Sequence, residues 1–169
     1  NYGSQPSVAL YETNAKWLTQ SDHHICFQWN NATKTLSLYV DGVLQDLTND
    51  SGVVVTNFSN AVNVRIGQTN NNEHYFNGLI DEVRVYDRAL SPTEIQEIYN
   101  AGIGRRAKID PSQKNKLTSG LVGYWTFDGP DMDWSQANEA RDQSSQNNHG
   151  DVVGAAVARG KVGQALKFD

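Results

Sequence analysis

A chain of 169 residues is long enough to bury a core without disulfide or metal staples and too short to require two complete domains. Its 19 acidic against 14 basic residues give a net charge of −5 and an isoelectric point near 5.3, and no basic block exceeds Arg105-Arg106, which argues against nucleic acid or anionic lipid as partners. No apolar run approaches the roughly 20 residues that span a bilayer, and residues 1 to 15 lack the charged-then-apolar shape of a secretion signal.

From His23 onward the pattern is one of short antiparallel strands. In "HHICFQW" Ile25, Phe27 and Trp29 alternate with Cys26 and Gln28. After the turn-like "NNAT", Leu36, Leu38 and Val40 alternate with Thr35, Ser37 and Tyr39, which predicts a hairpin with one apolar face. Cys26, flanked by Ile25 and Phe27, has no partner for an internal disulfide and is expected as an ordinary buried or half-buried thiol. Asp41-Gly42 suits a tight turn that returns the chain through "VLQDLT" as a second hairpin. "GVVVTNF", "NVRIGQT" and "GLIDEVRVYD" add strands between Asn-, Gly- and Ser-rich turns, and so many short strands predict an all-β sandwich or jelly roll.

One helix interrupts them, "SPTEIQEIYNAG" over residues 91 to 102. Ser91 is placed to cap it, Pro92 suits its first position, Glu94 completes a capping box and Gly102 suits a left-handed stop. Ile95, Ile98 and Tyr99 form a stripe that lays the helix against the sheets. Residues 104 to 118 are polar and lack either period, which reads as a linker. Strands then resume with "LVGYWTF", where Leu121, Trp125 and Phe127 share a face and Asp128 falls at the tip. A loop rich in acids and amides follows from Asp128 to Gly150, and "DVVGAAVARGKVGQALKFD" closes the chain with a turn around Arg159-Gly160.

"YFNGLIDEVRVYDRALSPTEIQEIYNAG", residues 75 to 102, resembles the C-terminal signature of LamG-like jelly-roll modules, and "LSLYVDGVLQ", residues 36 to 45, resembles a strand and turn from that family's second half. "SGLVGYWTFDG", "DQSSQNNHGDVV" and "GKVGQALKFD" resemble its opening segment, in that order. The resemblance implies a concanavalin A-like antiparallel jelly-roll sandwich whose one short helix ends the first segment. It also implies a tandem array cut out of phase: residues 1–103 as the later part of one module, 104–118 as linker, and 119–169 as the earlier part of a following or permuted one. Half-sandwiches leave apolar faces and strand edges uncovered, so the two pieces are expected to associate, within the chain or with neighbouring copies. The strand around "LIDEVRVYD" is the partner expected for "GLVGYWTFDG".

Asp81 alternates in phase with Leu79, Val83 and Val85, which aims a carboxylate at the apolar face; it needs either a metal or backbone N–H donors. Asp128, Asp131 and Asp133, then Asp142 and the amide-rich "SSQNNHG", cluster oxygen donors of the kind a hard cation such as Ca²⁺ takes, although no EF-hand pattern is present and a solvated acidic loop is the plain alternative. The resemblance adds a structural calcium, with Asp128 and Asp142 at matching motif positions, Asp81 contributed from the other half and Asn147 as a further oxygen.

Enzyme readings fare badly. A retaining glycosidase needs carboxylates about 5 Å apart. Asp81 and Glu82 are adjacent and face opposite sides, and Asp87 lies roughly 20 Å along a strand from Asp81. His23 and His24 lack zinc spacing, and no nucleophile-elbow pattern is present, although the sequence alone leaves a Ser-His-Asp triad open. Trp17, Tyr75 and Trp134 fall in or near loops, where an aromatic ring serves either as a sugar platform or, more often, in packing. N-x-S/T sequons stand at Asn31, Asn49 and Asn57. The expectation is a non-catalytic secreted or cell-surface module that acts in adhesion and self-association with neighbouring copies. Its competitor is a calcium-dependent, lectin-like module that binds glycans.

Overall fold

The computed structural model describes residues 10–12, 21–49, 64–68, 75–102 and 117–168, which form antiparallel strands and one α-helix. The expected strand "GVVVTNF", Trp17, Asn57 and linker residues 104–116 lie outside the described residues. The chain divides into two compact units, one of Asn1–Ala61 with Arg88–Tyr99, the other of Val62–Asp87 with Asn100–Asp169.

In the first unit, β2 (Ile25–Asn30) pairs with β3 (Thr35–Val40) in the register that sets Ile25 opposite Val40, Phe27 opposite Leu38 and Trp29 opposite Leu36. The Asp41-Gly42 turn leads into β4 (Val43–Leu44), which extends the sheet on β3, with Val43 opposite Val40. The chain then leaves this sheet: β5 (Leu47–Asn49) pairs with β1 (Leu10–Glu12), so the expected second hairpin is only two residues long. Helix α1 (Pro92–Gly102) begins with the capping box its sequence predicts, since Glu94 N–H donates to Ser91 Oγ at 3.3 Å and Ser91 N–H to Glu94 Oε2 at 2.8 Å. Arg88 adds a two-pronged pair to Glu94, at 2.6 and 3.1 Å, which pulls the Glu94 carboxyl down to about 2.

The helix meets the hairpin on the even-numbered face of β2. Gln28 Oε1 accepts the Leu90 N–H at 2.9 Å, the Tyr99 ring lies 6.0 Å from that of His24, and Ile95 and Ile98 are buried. On the odd-numbered face, which the sequence marks as apolar, burial among the described residues is deepest along the middle strand, and Trp29 is half-buried. Leu38 and Val40 are buried, while the flanking Ile25, Phe27 and Val43 are 38%, 69% and 61% exposed.

The second unit joins residues from both sides of the segment 104–118. β7 (Val83–Tyr86) pairs with β8 (Leu121–Trp125), with Val83 opposite Trp125 and Arg84 opposite Tyr124. β10 (Gln164–Phe168) lies between β6 (Gly78–Ile80) and β9 (Ala156–Arg159), so Leu166 faces Ile80 on one side and Val157 on the other. Thus "GLVGYWTFDG" meets "LIDEVRVYD" of its own chain. The core holds Trp125, Phe127, Met132, Ala140 and Leu166, against which Ile66, Ile80, Val83, Val85 and Phe168 pack.

The sequence predicts one strand through "LIDEVRVYD", and here the structure corrects it. Glu82 adopts a left-handed backbone (φ 54) and divides the run into β6 and β7, which join different sheets. The phase shifts at the break: Ile80, Val83 and Val85 face the core, whereas Leu79 is exposed.

Candidate functional site

The break at Asp81-Glu82 decides where the acidic groups go. Freed from the strand, Asp81 reaches the turn between β9 and β10, where its Oδ2 accepts the Val162 N–H at 3.0 Å. Asp128, just beyond β8, takes the Gln164 N–H of the same turn at 2.7 Å. One carboxylate from before residues 104–118 and one from after them therefore hold Val162 and Gln164, on either side of Gly163 in a single hairpin. Both need glycine beneath them. A Cβ on Gly160 would meet Asp81 Oδ2, and one on Gly163, whose φ is +65°, would collide with the Asp128 carboxylate.

Burial pushes the Asp81 carboxyl above its usual range, against the Val162 N–H, and the neighbouring Glu82 adds to the rise. Its second oxygen, Oδ1, is buried without a hydrogen-bond partner. A buried carboxylate oxygen without a partner is a position that a cation would satisfy.

Asp142 has a different task. Its Oδ1 accepts the Tyr124 and Ser144 N–H groups, both at 2.8 Å, and its Oδ2 accepts the Ser144 hydroxyl at 2.7 Å and the Asn148 N–H at 2.9 Å. Burial works against its charge, yet these four bonds outweigh it and hold the carboxyl below the usual range. With about four lone-pair positions on a carboxylate, all are taken, so Asp142 ties the loop to β8 and does not fit a calcium ligand. Asn147 sits in the same loop, exposed and left-handed at φ 56. Among the described residues no three His, Cys, Asp or Glu side chains converge as a metal group. Of the four expected ligands, then, Asp81 and Asp128 each hold a backbone N–H of the β9–β10 hairpin, while Asp142 and Asn147 belong to a loop held by its own hydrogen bonds.

Trp134 and Tyr75 present their rings outward, 52% and 61% exposed. They stand on separate elements: Tyr75 bridges Gln68 ahead of β6, and Trp134 lies in the loop between the 3-10 turn Gly129–Asp131 and the Ala140 bridge.

Two further clusters escaped the sequence reading. On the outer face of β7 and β8, the Arg84 guanidinium lies 4.1 Å from the Tyr124 ring centroid, and Glu82 accepts from both Arg84, at 2.6 Å, and the Tyr124 hydroxyl, at 2.7 Å. Burial, with the Glu82 bond, drives the Tyr124 hydroxyl well above the usual phenol range. In the first unit, Ser21 Oγ lies 3.0 Å from His23 Nε2, and His23 Nδ1 lies 2.8 Å from Asp41 Oδ2. The order of groups is that of a nucleophilic triad. Asp41, however, also accepts the His24 N–H at 3.0 Å, and its own N–H donates to the His24 carbonyl at 2.9 Å, which makes it the tie between the start of β2 and the β3–β4 turn. The strand register sets these residues side by side, a proximity that "HH" and "DG" do not announce.

Antiparallel strands, one capped helix and a carboxylate-held hairpin define a jelly-roll module of the LamG-like class. Residues 2–96 match the model of the concanavalin A-like lectin/glucanases superfamily, and the chain belongs to that family. It is similar to the human adhesion G-protein coupled receptor D1, with 35% identity over 117 residues, a match that takes in 63% of this chain and 13% of the receptor. No solved structure matches the chain. No helix among the described residues is long and apolar enough to cross a membrane.

Proposed function

We propose that the chain is a non-catalytic, extracellular adhesive module that associates with neighbouring copies or modules through the uncovered face of the β2–β3–β4 sheet. The observation that carries this reading is the exposure of Ile25, Phe27 and Val43 on one face, at 38%, 69% and 61%. Covering the three contributes about 3 kcal/mol before the cost of association, which gives weak contacts that gain strength when modules are linked in series. The similarity to an adhesion receptor supports the extracellular setting. Sedimentation velocity over a concentration series tests it. The wild-type chain is expected to shift to larger species, and Phe27→Glu, with an unchanged circular dichroism spectrum, to remain monomeric. A wild-type chain that stays monomeric throughout removes the reading.

Glycan binding is the second reading, supported by the outward rings of Tyr75 and Trp134. Glycan-array binding that is lost in Trp134→Ala and Tyr75→Ala supports it, and uniform silence removes it. In either case calcium, where bound, takes Asp81 and Asp128 as its carboxylates and reinforces the β9–β10 hairpin.

A further inference from the structure

Of the three N-x-S/T sequons, the one at Asn31 sits where an attached group meets no obstacle. Asn31, Ala32 and Thr33 form the turn between β2 and β3, and residues 31 to 35 are all exposed. The turn is held from its base. Asn30 Oδ1 accepts the Ala32 N–H at 3.0 Å and the Thr33 N–H at 3.3 Å, an Asx turn that fixes the backbone without drawing on the Asn31 side chain. Lys34 Nζ donates to Asn31 Oδ1 at 2.6 Å, a bond that leaves the Asn31 amide nitrogen unengaged. Nothing in the packing of β2, β3 or α1 requires that nitrogen. The other two sequons differ: Asn49 is the last residue of β5, within the ladder to β1, and Asn57 lies outside the described residues.

We propose that Asn31 is an N-glycan acceptor, modified when the chain passes through a glycosylating secretory pathway. The Asn31 amide nitrogen forms a bond to the anomeric carbon of a lipid-pyrophosphate-linked oligosaccharide. The anomeric carbon–oxygen bond breaks, the lipid pyrophosphate leaves with that electron pair, and the nitrogen loses one proton. Atoms and charge balance without an oxidant or reductant. The folded chain keeps its Asx turn, because Asn30 supplies it, and loses only the exposed Lys34 contact. The sugar projects from the hairpin tip into water, so occupancy leaves stability close to that of the bare chain.

The inference goes beyond the adhesive reading, and its test does not depend on that reading. The chain is expressed behind a cleavable signal peptide in cultured animal cells beside a reporter glycoprotein of known occupancy. Secreted protein is deglycosylated enzymatically in isotopically heavy water, and peptides are read by mass spectrometry. The expected result is the heavy-aspartate signature at position 31 in most molecules, lost in both Asn31→Gln and Thr33→Ala and retained in Thr33→Ser. Asn31→Gln is expected to be secreted at the wild-type level, which separates a missing sugar from a misfolded chain. An unmodified Asn31 peptide in cells whose reporter is occupied overturns the proposal, and so does modification confined to Asn49 or Asn57.

Discussion

Leu166 offers the sharpest probe of how the second unit is built. It is 3% exposed on β10, opposite Ile80 of β6, in a cluster with Trp125, Phe127, Met132 and Ala140. Leu166→Ala removes buried methyl groups from a space walled by strands on both sides, which limits collapse, so a loss of about 3 kcal/mol is expected. With a urea slope of about 2 kcal/mol per molar, the midpoint falls by about 1.5 M at unchanged slope. Val157 is the internal control, because it lies opposite Leu166 on the other side yet is 44% exposed; Val157→Ala should lose less than about 1 kcal/mol. Urea unfolding followed by circular dichroism gives the two midpoints, and native-state hydrogen exchange gives the second readout. If residues on both sides of the linker share one core, Leu166→Ala also lowers the protection of β7 amides. Equal midpoint losses in the two variants, or β7 protection untouched by Leu166→Ala, would refute the reasoning.

Two other outcomes are expected. Arg88, with the bonds from Ser91, pulls the Glu94 carboxyl from its ordinary 4.5 down to about 2, so its contribution is complete above pH 4.5 and is lost as the pH falls towards 2. After allowance for solvent screening, Glu94→Gln should lower stability by about 1 to 2 kcal/mol at pH 7. Denaturation at a series of pH values checks whether that gap closes across the same window; a gap independent of pH contradicts the assignment. Calcium at about 100 times its dissociation constant should stabilise the wild-type chain by about 2.7 kcal/mol, and should leave Asp81→Asn unmoved, because the buried oxygen that lacks a partner is then no longer part of a charge. Identical wild-type melting curves in calcium and in chelator would sink the calcium assignment.

Local rules made part of this legible. Helix α1 could be read to its first residue because Ser91, Pro92 and Glu94 act within one turn, and the β9–β10 turn could be placed at Arg159-Gly160 because Gly160 punctuates it. The alternation of β2 and β3 foretold a hairpin and the composition of each face, and the structure adds the register. The alternation did not say which face is covered, since coverage depends on what packs there, and the helix chose the face of His24 and Gln28. The break at Glu82 and the left-handed Phe127 (φ 61) were hidden because neither residue is a glycine that would advertise such a backbone. Asp142 illustrates the limit at the site. An acid followed two residues later by serine is as good an Asx motif as a cation ligand, and only the four hydrogen bonds decide between them.

Strand β8, which follows residues 104–118, closes on β7 of its own chain. Arg84 and Tyr124 lie directly opposite each other across that pair, close enough for a disulfide once both are replaced by cysteine. The measurement is the mass, under non-reducing conditions, of oxidised Arg84→Cys, Tyr124→Cys chain in a Cys26→Ser background. The account predicts a monomer in which the peptides containing positions 84 and 124 are linked to each other. Disulfide-linked dimers, or free thiols that persist under oxidising conditions, would contradict it.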